Sequence, residues 1–192
     1  MSPKASVKIL TAAQERFPFS KDSPYRPKKA DLDDLLRFEK TINVSHVCLV
    51  AMSVYGKDNR CLLDALKQLN GKARAVVSID PVNISDDEMS SMHRLGVRGA
   101  RLNLASFMRS MSRDEFVQLL HTYATRLRKY DWVLQIYIRM KQLPLIADEL
   151  PKLGVPIVID HLCYPDADIA ASSRKVTTLS CLYCSDDRYT QS

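Results

Sequence analysis

The chain has 192 residues, of which 46% are hydrophobic, and this is enough apolar content for one domain with a buried core. Its net charge is +6, but the basic residues are spread along the chain, which argues against a nucleic-acid partner and favours small acidic substrates. No apolar run of about 18 residues and no signal-peptide pattern occurs. The five cysteines are an odd number without a secretory leader, so we expect a cytoplasmic protein with no membrane partner.

Short β-branched runs alternate with amphipathic segments along the chain. In chain order, the sequence predicts strands over residues 7–10, 46–52, 73–79, 97–104, 132–138 and 156–162. It predicts helices over residues 32–40, 61–69, 86–95, 112–129 and 140–150. Ser85 with Glu88, and Ser112 with Glu115, have the spacing of a capping box at two of the helix starts. Such alternation predicts an α/β fold with a parallel sheet built from βαβ units.

Polar side chains follow several of these strands, where a barrel enzyme places its functional groups. His161 follows an apolar strand, and imidazole can act as a metal ligand or as a general base near neutral pH. A hydrogen-bonded structural histidine is the alternative. Gln135 and Tyr137 share one face of the fifth strand, because side chains alternate along a strand. We therefore predict that His161 is catalytic and that Gln135 and Tyr137 line the pocket.

Arg101 lies in an apolar strand, where a guanidinium group is costly to bury unless it meets a carboxylate. Two interpretations remain open, namely a substrate carboxylate or an ion pair with Asp80 or Asp160. Ser53 and Asn103, at the ends of the second and fourth strands, are suitable hydrogen-bond donors to a substrate. These residues complete the predicted substrate-binding set.

Four motifs occur in order, namely LVAMSVYGKDNRCLLDAL from Leu49, RAVVSIDP from Arg74, LGVRGARLNL from Leu95 and IDHL from Ile159. On these motifs, roughly residues 16–165 resemble the amidohydrolase-related family, in the branch that contains 2-pyrone-4,6-dicarboxylate lactonase. The resemblance implies a (β/α)8 TIM barrel and hydrolysis of a small carboxylated lactone or a similar cyclic ester or amide. It also implies a zinc-like divalent metal in the family, although this branch does not always require one.

The chain departs from the family pattern at its ends. By ungapped alignment with the family, Lys8 and Leu10 stand where a His-x-His pair is expected, and no strand-eight aspartate is present. We therefore expect only His161 of the usual ligand set, no bound metal and a truncated, partial barrel with about six of eight parallel strands. Residues 1–165 are predicted to form this domain, and residues 166–192 an irregular tail or a poor remnant of strand seven. The alternative to an active hydrolase is a catalytically inactive fragment or paralogue, with possible self-association through open barrel edges.

Overall fold

The computed structural model describes residues 5–8, 10–11, 15–23, 25–105 and 111–164. Its strands are β1 (Ala5–Lys8), β2 (His46–Val50), β3 (Ala73–Val77), β4 (Val97–Asn103), β5 (Val133–Tyr137) and β6 (Ile157–Ile159). Its α-helices are α1 (Leu32–Thr41), α2 (Arg60–Leu69), α3 (Asp86–Leu95) and α4 (Arg113–Arg128). Three short 3₁₀ helices cover Ser53–Tyr55, Met140–Leu145 and Leu150–Leu153, and a left-handed turn covers Asp160–Cys163. The predicted tail over residues 166–192 lies outside the described residues.

The six strands form one sheet in sequential order, and every neighbouring pair is parallel. This sheet curls into a half-barrel, with the α-helices connecting its first five strands. The predicted α/β class, with six parallel strands of a TIM barrel, is confirmed. Parallel pairing also places all the carboxyl ends of the strands at one rim of the sheet.

The outer face of the sheet packs against the helices and forms the main core. Leu134 and Ile136 of β5 are fully buried, and so are Phe116 and Leu120 of α4. Full burial of each such side chain contributes about 1.5–3 kcal/mol to folding relative to exposure. The helices therefore fix the sheet from one side, and the other face is left to line the interior of the half-barrel.

The inner face is closely packed at the central strands of the sheet and exposed at its two edge strands. In its centre, Gly99 of β4 lies so close to β5 that an added Cβ would be 2.6 Å from Val133 Cγ2 and 2.9 Å from the Val133 carbonyl oxygen. At its two margins, Val7 of β1 and Val158 of β6 are 68% and 43% exposed. Arg101 and Gln135 are paired in register on this same inner face, near its centre.

Capping agrees with the sequence. Ser85 Oγ accepts from the Glu88 backbone N–H, and the Glu88 side chain accepts from the Ser85 backbone N–H. Ser112 and Glu115 form the same reciprocal pair. The predicted helix over residues 86–95 coincides with α3, whose first turn carries Asp86, and the acidic side chains there favour a helix N-terminus.

Two predicted elements are wrong in form. Residues 140–150, predicted as one helix, begin with the 3₁₀ segment Met140–Leu145, because Pro144 inside it lacks the backbone N–H that an α-helix would use. A second 3₁₀ segment, Leu150–Leu153, starts only at Leu150. The strand predicted over residues 156–162 covers only Ile157–Ile159, because the backbone then turns left-handed. Within the described ranges, no helix is long and apolar enough to cross a membrane.

Candidate active site

Arg101 and Asp160 form a buried ion pair at the rim where the strands end. Arg101 Nη2 lies 2.5 Å from Asp160 Oδ2, and the two side chains are only 9% and 16% exposed. Arg101 Nη1 also donates to the carbonyl oxygen of Ala51, at 3.0 Å. Of the interpretations left open by the sequence, the structure shows the ion pair with Asp160. Asp80 instead accepts from Lys57 Nζ at 2.7 Å, and this bond is the main reason that the pKa of Asp80 lies below its usual range.

The Tyr137 ring connects Arg101 to His161. The guanidinium carbon of Arg101 lies 5.0 Å from the centroid of the Tyr137 ring, which is within the range of a cation–π contact. The ring of His161 lies 5.0 Å from the same Tyr137 ring, centroid to centroid. Burial raises the pKa of the Tyr137 hydroxyl, so the phenol is neutral near pH 7. The structure thus brings three of the predicted site residues together.

His161 is the exposed member of this group. Its side chain is 64% exposed, and its Nε2 lies 3.7 Å from Asp160 Oδ1, longer than a hydrogen bond. Asp160 therefore stands between two groups, with one oxygen bound to Arg101 and the other facing the imidazole.

A left-handed turn sets the direction of the His161 side chain. His161, Leu162, Cys163 and Tyr164 have φ values of 49°, 50°, 58° and 43°. Non-glycine residues in this conformation cost about 1–2 kcal/mol each, and such strain is concentrated at functional sites. The fully buried Cys163 side chain holds the turn against the core.

Ser53 and Asn103 are hydrogen-bonded to each other at the same rim. Asn103 Nδ2 donates to Ser53 Oγ at 2.6 Å. The Asn59 side chain fixes the segment that follows Ser53, because its amide donates to the Ser78 carbonyl oxygen at 2.7 Å and accepts from the Ser78 N–H at 3.0 Å. Both predicted donors therefore lie where β2 and β4 end.

Gln135 and Arg101 carry buried polar atoms that have no hydrogen-bond partner among the described residues. These atoms are Gln135 Oε1 and Arg101 Nε. The two residues are opposite each other in the β4–β5 register, and their side chains are on the inner face. An unpaired buried donor or acceptor costs about 1–3 kcal/mol, so a bound water or a polar ligand atom here would be stabilised.

Lys8 and Leu10, which stand where the His-x-His pair is expected, both have structural surroundings. Lys8 Nζ lies 4.0 Å from Glu39 Oε1 and 4.4 Å from the Phe38 ring centroid, so its side chain runs along α1. Leu10 is part of the hydrophobic core. Across the described part of the chain, no three His, Cys, Asp or Glu side chains are grouped closely enough to hold a metal ion. The described donors therefore do not fit the divalent metal that the family resemblance implies.

Two residues near this group were not predicted from the sequence. The Tyr164 ring lies 6.2 Å from the Tyr137 ring, edge to face, and the Arg139 guanidinium carbon lies 5.4 Å from the Tyr164 centroid. Arg139 comes two residues after Tyr137, so the alternation of side chains along a strand could have placed Arg139 on the same side as Tyr137. Tyr164 gave none, because its position depends on the left-handed turn.

The parallel half-barrel, with a histidine, an arginine and a tyrosine converging at its carboxyl-end rim, has the architecture of a β/α-barrel enzyme. The sequence profile of the family described as Amidohydrolase matches residues 6–184. The chain belongs to the amidohydrolase family.

Individual relatives agree with the lactonase branch predicted from the motifs. A 2-pyrone-4,6-dicarboxylate hydrolase from Comamonas testosteroni is 31% identical over 160 residues, which cover 83% of this chain and 51% of the relative. A 4-sulfomuconolactone hydrolase from Rhizobium radiobacter is 25% identical over 146 residues, covering 76% and 48% respectively. A crystal structure from Pseudomonas putida, described as a 2-pyrone-4,6-dicarboxylic acid hydrolase, matches with a TM-score of 0.76 at 27% identity, covering 95% of this chain and 64% of that chain. The chain spans about half the length of the curated relatives it matches.

Proposed function

We propose that this chain hydrolyses a small lactone that carries carboxylate groups. The observation that carries the proposal is the convergence of Arg101, Tyr137 and His161 at one rim of the sheet. The names of two relatives, the 2-pyrone-4,6-dicarboxylate hydrolase and the 4-sulfomuconolactone hydrolase, support an anionic lactone as substrate. The net charge of +6 also favours the approach of an anion.

In the proposed reaction, water adds to the lactone carbonyl carbon and the ring C–O bond then breaks. His161 takes the proton from the attacking water and returns it to the leaving ring oxygen, which gives one new carboxyl group and one hydroxyl group. Asp160 stabilises the imidazolium that forms between these two steps, because its Oδ1 faces the His161 ring. Arg101 holds Asp160 in place through the ion pair.

The remaining predicted residues bind the substrate in this proposal. Ser53 and Asn103 stand at the rim as donors for the carbonyl oxygen, on which negative charge develops as water adds. Tyr137 offers a flat face for the lactone ring. Gln135 Oε1 is a buried acceptor for a hydroxyl or water proton.

A second candidate function is binding of a carboxylated ligand without hydrolysis. It is favoured by the distance of 3.7 Å between His161 Nε2 and Asp160 Oδ1, which is too long for the hydrogen bond that would orient a general base. The two candidates differ in whether a bound lactone is turned over.

Turnover of 2-pyrone-4,6-dicarboxylate separates them. We expect the purified chain to open the pyrone ring, followed as loss of pyrone absorbance with chromatography of the product. His161→Asn, which tolerates a left-handed backbone, should lower kcat by about 10²–10⁴-fold. His121→Asn is the matched control, since His121 is an exposed α4 histidine that faces Glu149. A rate no higher than that of buffer would refute hydrolysis, and equal rates for the two variants would refute the role of His161.

A further inference from the structure

We infer that Arg139 is the residue that anchors a carboxylate of the substrate, and that it thereby selects lactones carrying a second carboxylate. This inference rests on the proposed function and names a specificity-determining residue for it. Arg139 follows β5 directly, two positions beyond Tyr137, and its side chain is half-buried.

The charges around Tyr137 point to Arg139 and not to Arg101. Arg101 is neutralised by Asp160, at 2.5 Å, and its second Nη is bonded to a backbone carbonyl oxygen. Arg139, in contrast, has no ion pair with a carboxylate in the part of the chain that the structure describes. Among the described residues, the group therefore holds two guanidinium ions and one carboxylate, which leaves one positive charge for an anionic ligand.

Aromatic contacts connect the Arg139 guanidinium to the proposed reaction centre. Its guanidinium carbon lies 5.4 Å from the Tyr164 ring centroid, and the Tyr164 ring lies 6.2 Å from the Tyr137 ring. The Tyr137 ring is in turn 5.0 Å from the His161 ring. In this inference a lactone on Tyr137 meets His161 at one end and Arg139 at the other, because His161 contacts the Tyr137 ring and Arg139 contacts the neighbouring Tyr164 ring.

The backbone of Arg139 is also fixed. Its N–H donates to Gln142 Oε1 at 3.0 Å, at the start of the 3₁₀ helix Met140–Leu145. The Arg139 guanidinium carbon lies 5.4 Å from the Tyr164 ring centroid, and the planar edge of the guanidinium is the part that would meet a carboxylate. That edge carries paired N–H donors, which match a carboxylate in a bidentate contact.

The test compares two probes and four proteins, including Arg139→Lys, by calorimetric titration, with every protein in a His161→Asn background so that the dicarboxylate is bound without turnover. The probes are 2-pyrone-4,6-dicarboxylate and 2-pyrone-6-carboxylate, which lacks one carboxylate. The proteins are the one that is wild type at positions 94 and 139, Arg139→Gln, Arg139→Lys and Arg94→Gln. Arg94 on α3 is the matched control, because it is exposed and donates only to Ser91 Oγ, at 3.0 Å. Trp132 fluorescence and circular dichroism confirm that each variant is folded, and Arg139→Lys serves as a partial rescue.

We expect Arg139→Gln to weaken binding of the dicarboxylate by about 10- to 100-fold, as loss of a charge-assisted hydrogen bond does. One of the two ring carboxylates should account for most of this loss. The monocarboxylate should therefore show a smaller ratio of the dissociation constant of Arg139→Gln to that of the wild type. Arg94→Gln should bind both probes as the wild type does. Dicarboxylate affinity that is equal in the wild type and Arg139→Gln, or equal losses for both probes, would overturn the inference.

The inference and the proposed function fail in different ways. Turnover of the dicarboxylate by the wild type, with unchanged affinity in Arg139→Gln, would overturn the inference alone. Affinity that depends on Arg139, without any turnover, would refute hydrolysis and support the anchor. Failure of the wild type to bind the dicarboxylate would overturn the anchor, whatever the turnover assay shows.

Discussion

The Arg101–Asp160 ion pair gives a quantitative test of how the rim of the half-barrel is built. The two side chains are 9% and 16% exposed, so Asp160→Asn would leave a guanidinium ion that is buried and without its counter-charge. Arginine cannot lose its proton in a protein, and it therefore cannot escape this cost by neutralisation. Breaking such a buried pair costs about 3–5 kcal/mol of unfolding free energy. For a chain of this size, we expect a Tm that is lower by about 6–20 °C.

Urea unfolding followed by fluorescence of Trp132, the only tryptophan in the chain, is the assay. The exposed pair Lys57–Asp80 supplies the control, since Lys57 is 64% exposed, and Lys57→Met should cost at most about 1 kcal/mol. The double variant Arg101→Met with Asp160→Asn should regain most of the stability lost in Asp160→Asn, because no unpaired charge remains buried. Equal small losses for Asp160→Asn and Lys57→Met would refute the buried ion pair.

Two further outcomes concern the stability of the sheet and of α3. Burial, and then the nearby Arg98 charge, lower the pKa of His93 from 6.5, and Trp132 Nε1 donates to His93 Nδ1 at 3.0 Å, which requires an unprotonated Nδ1. The unfolded chain then binds the proton more readily than the folded chain, so the unfolding free energy should fall as pH drops below 6.5. His93→Gln should make the urea midpoint depend less on pH. Urea midpoints that change with pH in the same way for both proteins would contradict this account. Gly99→Ala should lower the unfolding free energy, measured in urea, by about 1–3 kcal/mol, because the added Cβ would lie 2.9 Å from the Val133 carbonyl oxygen. An unchanged urea midpoint would show that β4 and β5 can separate freely.

The sequence predicted the regular part of the fold because its signals there are local. Capping pairs, helical periodicity and β-branched runs determine elements such as α3 and β5 without help from distant residues. The apolar spacing of the segment after β5 predicts one helix, but Pro144 lacks the backbone N–H that an α-helix needs there, and the segment forms a 3₁₀ helix instead.

The sequence predicted the positions of the site residues that lie on strands better than those of the residues that lie on loops and turns. Arg101, Gln135 and Tyr137 could be placed on one face by alternation and pairing alone. The choice between Asp80 and Asp160 as the partner of Arg101 depends on how strongly the sheet curls, which no local pattern encodes. Tyr164 reaches Tyr137 only because four consecutive residues adopt positive φ values, a conformation that the sequence of this turn does not favour.

A crystal structure of this chain with 2-pyrone-4,6-dicarboxylate tests the central claim most directly. We predict the lactone ring against Tyr137, its carbonyl carbon within reach of His161, and a carboxylate in a bidentate contact with Arg139. A ligand bound away from the carboxyl ends of the strands, or Tyr137 and His161 pointing to opposite faces of the sheet, would contradict the account.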